Sequence, residues 1–157
     1  MVSMKLKADT MANCAPAIYE LRIEGQPVPW AVYTRRGEPS RGFLAMKAWQ
    51  QQIQAAVIEK YGAPRLTDPV RLDVSFFREL PGDTPKNFTT WERRCQKQCV
   101  KKPDRTNLFK ALEDGLNGVL LSDDSIVVSG ETTKWFAPIG TGPYTLVRVT
   151  LIPFKEA

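Results

Sequence analysis

The sequence contains no histidine, and this absence excludes several classes of enzyme. Proteases with a Ser-His-Asp triad, hydrolases whose zinc is held by imidazoles and nucleases with a histidine base all require a ring nitrogen. A general base in this chain must therefore be an Asp, Glu, Lys, Tyr or Cys side chain.

Cysteine is also scarce, with three residues at Cys14, Cys95 and Cys99. An odd number does not form the even disulfide framework of small secreted proteins, so we expect a protein of the reducing cytoplasm. The i,i+4 spacing of Cys95 and Cys99 leaves a zinc-dependent nucleic-acid module as one hypothesis. Zinc normally takes four ligands, and Cys14 is the one further thiol, so buried thiols are the favoured interpretation.

Long hydrophobic runs are absent too, and no stretch of about 18 apolar residues predicts a membrane span. Residues 1–16 lack the apolar stretch that a secretory signal needs. We expect a flexible leader over residues 1–16 and one domain over residues 17–157, because 157 residues is the usual size of a single domain.

Basic residues exceed acidic residues by 22 to 17, which gives a net charge of +5. A clustered excess favours a polyanionic partner, although many charge runs are only solvated surfaces. Seven basic residues do cluster within eighteen positions: Arg93, Arg94, Lys97, Lys101, Lys102, Arg105 and Lys110. Trp91 lies beside this cluster and is either a core residue or a platform for a stacked base.

Hydrophobic periodicity predicts strands and helices mixed along the chain. Extended segments are predicted at Tyr19–Glu24, Val28–Tyr33, Val70–Phe76, Ser125–Val128, Thr132–Ala137 and from Tyr144 to just before Pro153, with Gly130 as a bend or bulge. Helices are predicted from Ala45 to Tyr61 with Gly62 at the C-cap, from Trp91 to Gln98, and from Asp104 to Asn117. Trp49 and Phe76 are predicted core residues. The fold class is therefore α+β (mixed α/β), a single compact domain with a mixed sheet and two to three helices.

The helix that begins at Asp104 has two distinct faces. An apolar stripe is formed by Leu108, Ala111, Leu112, Gly115 and Leu116. On a separate face, Asn107, Lys110 and Asp114 fall within an arc of about 60°. The structural alternatives are an N-cap for Asp104 and an i,i+4 ion pair between Lys110 and Asp114.

Two adjacent acids, Asp123 and Asp124, follow this helix and precede a predicted strand. Adjacent carboxylates repel unless a cation lies between them, so the pair is a candidate Mg²⁺ site. Such an ion activates water and stabilises charge on a scissile phosphate, and Lys110 would offset charge at a phosphate oxygen. The alternative is a solvated turn.

The segment from Lys102 to Val128, KPDRTNLFKALEDGLNGVLLSDDSIVV, resembles the signature of the RusA-type Holliday junction resolvases, which are often encoded by phages and prophages. Residues Ile23 to Arg36, with the run GQPVP, and the strand Val70–Phe76 are similar to the N-terminal half of that family. The resemblance covers roughly residues 18 to 152.

The resemblance implies a homodimer that binds four-way junction DNA in recombination and repair. It implies paired symmetric nicks made with Mg²⁺, for which Mn²⁺ is a possible substitute, and no small-molecule cofactor or membrane. The expected location is the cytoplasm of a bacterial host, with a bacterial or phage gene.

The same resemblance implies a role for each residue of this sequence that matches a position of the family's motif. Asp104 matches the first acid of the family's Asp-x-Asp-Asn motif, Asn107 its asparagine and Lys110 its catalytic-site lysine. Asp123-Asp124 match the second acidic cluster, with Asp124 as the essential member, so the implied catalytic residues are Asp104, Lys110 and Asp124. The implied metal ligands are Asp104, Asp114, Asp123 and Asp124, and the implied DNA contacts are Arg35, Arg36, Lys101, Lys102, Arg105 and Asn107.

One position departs from the motif, because Thr106 stands where the family usually has its second Asp. A hydroxyl is a much weaker Mg²⁺ ligand than a carboxylate. Two hypotheses follow: an active endonuclease whose site is completed by Asp114 or Asp123, or a junction-binding protein whose nuclease site has decayed.

Overall fold

The computed structural model of the protein describes residues 17–34, 36–80, 99, 102–138 and 140–153. Two α-helices cover one face of a five-stranded mixed sheet. The helices are α1 (Arg41–Tyr61) and α2 (Arg105–Leu116), and the strands are β1 (Ile18–Glu24), β2 (Val70–Arg78), β3 (Val127–Ser129), β4 (Thr132–Phe136) and β5 (Tyr144–Leu151). The predicted α+β class, as a single compact domain, is confirmed. The predicted leader 1–16 and the predicted helix Trp91–Gln98 lie outside the described residues.

The sheet joins antiparallel and parallel strand pairs. Its order is β1-β5-β2, and β3 and β4 both pair with the remaining edge of β2. β5 runs antiparallel to β1 and β2, whereas β3 and β4 run parallel to β2. Parallel neighbours need a long crossover connection, and α2 lies in the connection between β2 and β3.

Alternation along the strands places the core on one side of the sheet. In β2, Val70, Leu72, Val74 and Phe76 are buried, and the residues between them are more accessible. Trp49 of α1 packs near Phe76, with ring centroids 6.5 Å apart. Both aromatic residues are buried, as predicted for the core.

Helix α1 begins four residues earlier than its apolar pattern starts. Ser40 is the N-cap, and its Oγ accepts a hydrogen bond of 3.1 Å from the Phe43 N–H. At the other end, the Gly62 N–H donates to the Ile58 carbonyl, which confirms the predicted C-cap. Neither of the two described helices has the length and apolar character needed to cross a membrane.

Two predicted extended segments differ from the structure. Residues 28–33 form no strand, because Pro29 has no N–H for a ladder and the Trp30 N–H instead donates to the Asn107 carbonyl at 2.9 Å. The segment predicted at Ser125–Val128 begins as a 3-10 turn, Asp124–Ile126, before β3 starts at Val127.

Gly130 allows β3 and β4 to share one edge of β2. The register is the same on both sides of it, with Arg71 opposite Ser129 and Val74 opposite Thr132. The register shift lies earlier, between Val70 opposite Val127 and Arg71 opposite Ser129. Gly130 has a φ of +144°, and a Cβ added to it would lie 1.8 Å from the Leu72 carbonyl oxygen. Of the two predicted alternatives, a bend or a bulge, the unchanged register excludes a bulge at Gly130 and leaves a bend, which only glycine fits.

Gly130→Ala should therefore destabilise the fold by about 2 kcal/mol or more, since a strained backbone costs about 1–3 kcal/mol before any steric overlap is counted. The matched control is Gly25→Ala, because Gly25 also has a positive φ, of +98°, but open space around its Cβ position. Urea unfolding of the two variants measures the difference. Equal losses of stability would contradict the steric account.

Candidate active site

Helix α2 separates its apolar stripe from its polar face as predicted. Leu108, Ala111, Leu112, Gly115 and Leu116 are its buried residues. Asp104 at the N-cap position is exposed, and so are Asn107, Lys110 and Asp114 along the helix. The helix therefore presents two carboxylates, an amide and an ammonium group to solvent.

Asp104 does not use its carboxylate as an N-cap. Its backbone carbonyl accepts hydrogen bonds from the Asn107 and Leu108 N–H groups, at 3.1 and 3.2 Å, but its side chain makes no capping bond. Its Oδ1 lies 3.2 Å from Nζ of Lys102 instead. The N-cap interpretation of the side chain is wrong, because the nearby ammonium group competes successfully with the helix N-terminus.

Lys110 contacts an aromatic ring rather than an acid. Its Nζ lies 3.9 Å from the centroid of the Trp30 ring, and no ion pair joins it to Asp114 in the described chain. Trp30 is placed by its N–H bond to the Asn107 carbonyl. The i,i+4 ion-pair interpretation is wrong, and the cation–π contact sets the position of this cation. Trp30 was not predicted as part of the site, since the contact spans two distant parts of the sequence.

The two adjacent acids share a hydrogen bond. Asp124 donates to Asp123, which raises the pKa of Asp124, and the negative charges of Asp123 and Asp114 add to this effect. Accepting that bond, together with bonds from Ser125, lowers the pKa of Asp123. Asp124 is therefore harder to ionise than Asp123, and a cation bound between the two carboxylates would relieve this repulsion.

Glu113 adds a further carboxyl group that sequence reasoning missed. Its pKa is raised, first by burial and then by the charges of Asp124 and Asp114. The end of α2 and the Asp123-Asp124 pair therefore lie within electrostatic range of each other. This accumulated negative charge favours a bound cation.

The structure brings only some of the predicted metal ligands close to one another. Carboxylates are the ligands that Mg²⁺ prefers, and the negative charges of Asp123 and Asp114 that act on Asp124 suit a divalent cation. Within the described ranges, however, no three His, Cys, Asp or Glu side chains are close enough to hold a metal ion. Asp104 is paired with Lys102 rather than with these acids.

The predicted DNA contacts are partly described. Lys102, Arg105, Asn107 and Arg36 are exposed, while Arg35 and Lys101 lie outside the described residues, as do Trp91, Arg93, Arg94 and Lys97. Of the described cations, Lys102 pairs with Asp104, and Nη1 of Arg105 donates to the Thr132 carbonyl at 3.1 Å.

Two further cations attach the start of α2 to the sheet. The Arg78 guanidinium donates to the Lys102 carbonyl, and Nζ of Lys134 donates to the Pro103 carbonyl at 2.8 Å. Together with the bond from Arg105 to Thr132, they fix the segment before α2 against β2 and β4. Sequence reasoning missed this role, because a carbonyl acceptor leaves no signature in the sequence.

Cys99 is 3% exposed, and its backbone N–H donates to the Lys134 carbonyl at 3.1 Å. This burial agrees with the interpretation of Cys99 as a buried thiol. The other two thiols of the zinc hypothesis, Cys14 and Cys95, lie outside the described residues.

Glu113→Gln should raise stability at neutral pH. The folded state raises the pKa of Glu113, so the fold favours its protonated form, and stability is lost as pH rises above the unfolded pKa. The amide mimics the protonated acid, so its advantage should vanish at pH values below that pKa. Thermal melts over a pH series test this, with Glu59→Gln on exposed α1 surface as the control. A gain that is constant with pH would contradict the electrostatic origin.

Comparison of the sequence with known proteins places the chain in a family. The model of the family described as "Endodeoxyribonuclease RusA" matches residues 30–149, which include both helices and the Asp123-Asp124 pair. The "Uncharacterized protein YqaN" of Bacillus subtilis (strain 168) is 31% identical over 124 residues, which cover 73% of this chain and 85% of that protein. The chain belongs to the RusA endodeoxyribonuclease family.

Proposed function

We propose that the protein is a Mg²⁺-dependent, structure-selective endodeoxyribonuclease that resolves four-way (Holliday) DNA junctions by paired symmetric nicks. Family membership supports a Holliday junction resolvase role. The observation that carries the finer proposal is the electrostatic interaction of Asp114 at the end of α2 with Asp124 of the adjacent acid pair. The process served is DNA recombination and repair.

The carboxylates of Asp114, Asp123 and Asp124 are the proposed core of a divalent-ion site. When bound, Mg²⁺ or Mn²⁺ would supply an activated water and neutralise charge on the scissile phosphate. Asp104 belongs to the same proposed set but pairs with exposed Lys102 in the free protein. A surface ion pair of this kind contributes little, about 0–1 kcal/mol, so a DNA phosphate that binds Lys102 would release the carboxylate.

Lys110 is the proposed stabiliser of charge at a phosphate oxygen. Its ammonium is exposed but held over the Trp30 ring, so its position is defined before DNA binds. Preorganised charge of this kind stabilises a transition state without a reorganisation cost at the moment of reaction.

The proposed DNA surface comprises Arg35, Arg36, Lys101, Lys102, Arg105 and Asn107. Contacts from cations to phosphates position DNA without reading its sequence and weaken as salt rises. The proposed domain spans residues 17–157 after a flexible leader, and the proposed setting is the cytoplasm.

A homodimer fits the proposed reaction. Paired nicks require two cleavage sites, and a two-fold symmetric dimer presents two identical sites to a junction of approximate two-fold symmetry. One protomer with one site would cut a single strand per binding event.

Asp124→Asn should abolish cutting while junction binding persists. We expect the rate to fall by about 100-fold or more, because removal of one charge-stabilising group from an active site typically costs about 10²–10³ in rate. Gel-shift and nicking assays on the same labelled junction separate binding from cutting. Asp68→Asn is the matched control, since Asp68 is exposed and outside the candidate site. Full cutting by Asp124→Asn would remove Asp124 from the mechanism.

The second candidate function is a junction-binding protein without nuclease activity. Thr106, an exposed residue on the first turn of α2, replaces the motif's second acid, and the described carboxylates form no group of three. Such a protein would bind junctions but cut none with any divalent ion.

Thr106→Asp distinguishes the two candidates. An added carboxylate on the first turn should raise Mg²⁺-dependent cutting of the junction if the natural site is weakened, while Thr106→Asn supplies a control of similar size without charge. If the wild type already cuts efficiently and neither variant cuts faster, Thr106 is tolerated and the binding-only candidate is rejected.

A further inference from the structure

A cleft of about 370 Å³ opens beside the polar face of α2. Residues 30–33 and the part of α1 between Phe43 and Gln54 form its walls, and Asp114 of α2 also lines it. Its volume is near the lower end of the range for small-molecule sites, about 300–1,000 Å³, which suits one planar ring system.

Aromatic and apolar side chains at this cleft are exposed to solvent. Tyr33 is 50% exposed and Val32 is 62% exposed. The Tyr33 ring packs edge-to-face on Phe43, with centroids 5.2 Å apart, and its hydroxyl donates to the Gly37 carbonyl at 3.0 Å. Tyr33 is therefore held in position while half of its surface stays open, as expected for a stacking platform.

The cleft shares residues with the candidate active site. Trp30 lines the cleft and also lies beneath the ammonium of Lys110. Asp114 lines the cleft, and its charge also acts on Asp124 of the adjacent acid pair. A nucleotide whose phosphate reaches Lys110 would therefore have the cleft within reach of its base.

Polar groups at the cleft match a nucleotide. Lys47 lines the cleft, with its Nζ 5.5 Å from the Phe43 ring centroid, and this cation suits the negative charge of a DNA backbone. Gln54 lines the same wall, and its amide makes no hydrogen bond to any described residue. Its donor and acceptor are available for the edge of a base.

We propose that this cleft binds one unpaired nucleobase of the DNA strand that lies at the active site. The inference rests on the proposed function, because bases at the centre of an opened junction have lost stacking partners and cost least to remove from a helix. Stacking on aromatic rings suits any base, and cations beside the cleft suit the flanking phosphates.

The test uses a short single-stranded oligonucleotide that contains one 2-aminopurine, whose fluorescence is quenched by stacking. Wild-type protein should quench this probe, and Tyr33→Ala should weaken its binding by about 5- to 150-fold, the range for loss of one base–aromatic stack. Tyr33→Phe keeps the ring and should retain both quenching and binding.

A second pair of variants tests the cleft independently, in case Tyr33→Ala fails to fold. Val32→Glu places a carboxylate at the cleft, whereas Leu44→Glu makes the same charge change on an exposed residue, 53% accessible, that does not line it. Val32→Glu should weaken probe binding at least tenfold more than Leu44→Glu. Absence of quenching by the wild type, wild-type behaviour of Tyr33→Ala, or equal effects of the two glutamates would each overturn the proposal.

Junction nicking by the same wild-type preparation separates this inference from the proposed function. Protein that nicks junctions but leaves the probe unquenched rejects the base site alone. Protein that quenches the probe through Tyr33 but nicks no junction supports the base site and rejects the proposed nuclease.

Discussion

The burial of one stripe of α2 against α1 sets the orientation of every group in the candidate site. Leu108, Leu112 and Leu116 are fully buried there, and each buried side chain of this size contributes roughly 1.5–3 kcal/mol. Gly115 permits the close approach, since a Cβ at this position would lie 3.2 Å from Cδ1 of Ile53. Nε2 of buried Gln50 donates to the Ala111 carbonyl at 3.0 Å and fixes the same contact. The opposite face of α2 must then point to solvent.

On this outward face, several of the described acidic side chains lack a cation as a partner. The charges of Asp123 and Asp114 raise the pKa of Asp124, and burial together with the charges of Asp124 and Asp114 raises the pKa of Glu113. Asp104 instead forms an ion pair with Lys102. Among the described residues, carboxylates near the end of α2 therefore exceed the cations that pair with them. A divalent ion would offset this excess, and DNA phosphates would bind the basic residues at the start of the helix.

Patterns with a short period were predictable from the sequence. The two faces of α2, the alternation in β2 and the bend at Gly130 all follow from spacing or from glycine's freedom. The family could also be predicted, because its motif is contiguous. Contacts between distant segments were not predictable: Lys110 over Trp30, Arg78 on the Lys102 carbonyl and the burial of Glu113 depend on how α2 meets the rest of the fold.

Cleavage of a labelled mobile four-way junction beside linear duplex of the same sequence tests the central claim most directly. The wild-type protein would be assayed with Mg²⁺, with Mn²⁺ and with EDTA, and both paired nicks and binding would be scored. The account predicts symmetric paired nicks in the junction alone, present with either metal ion and absent with EDTA. Binding without nicks under every metal condition, or equal cutting of linear duplex, would contradict it.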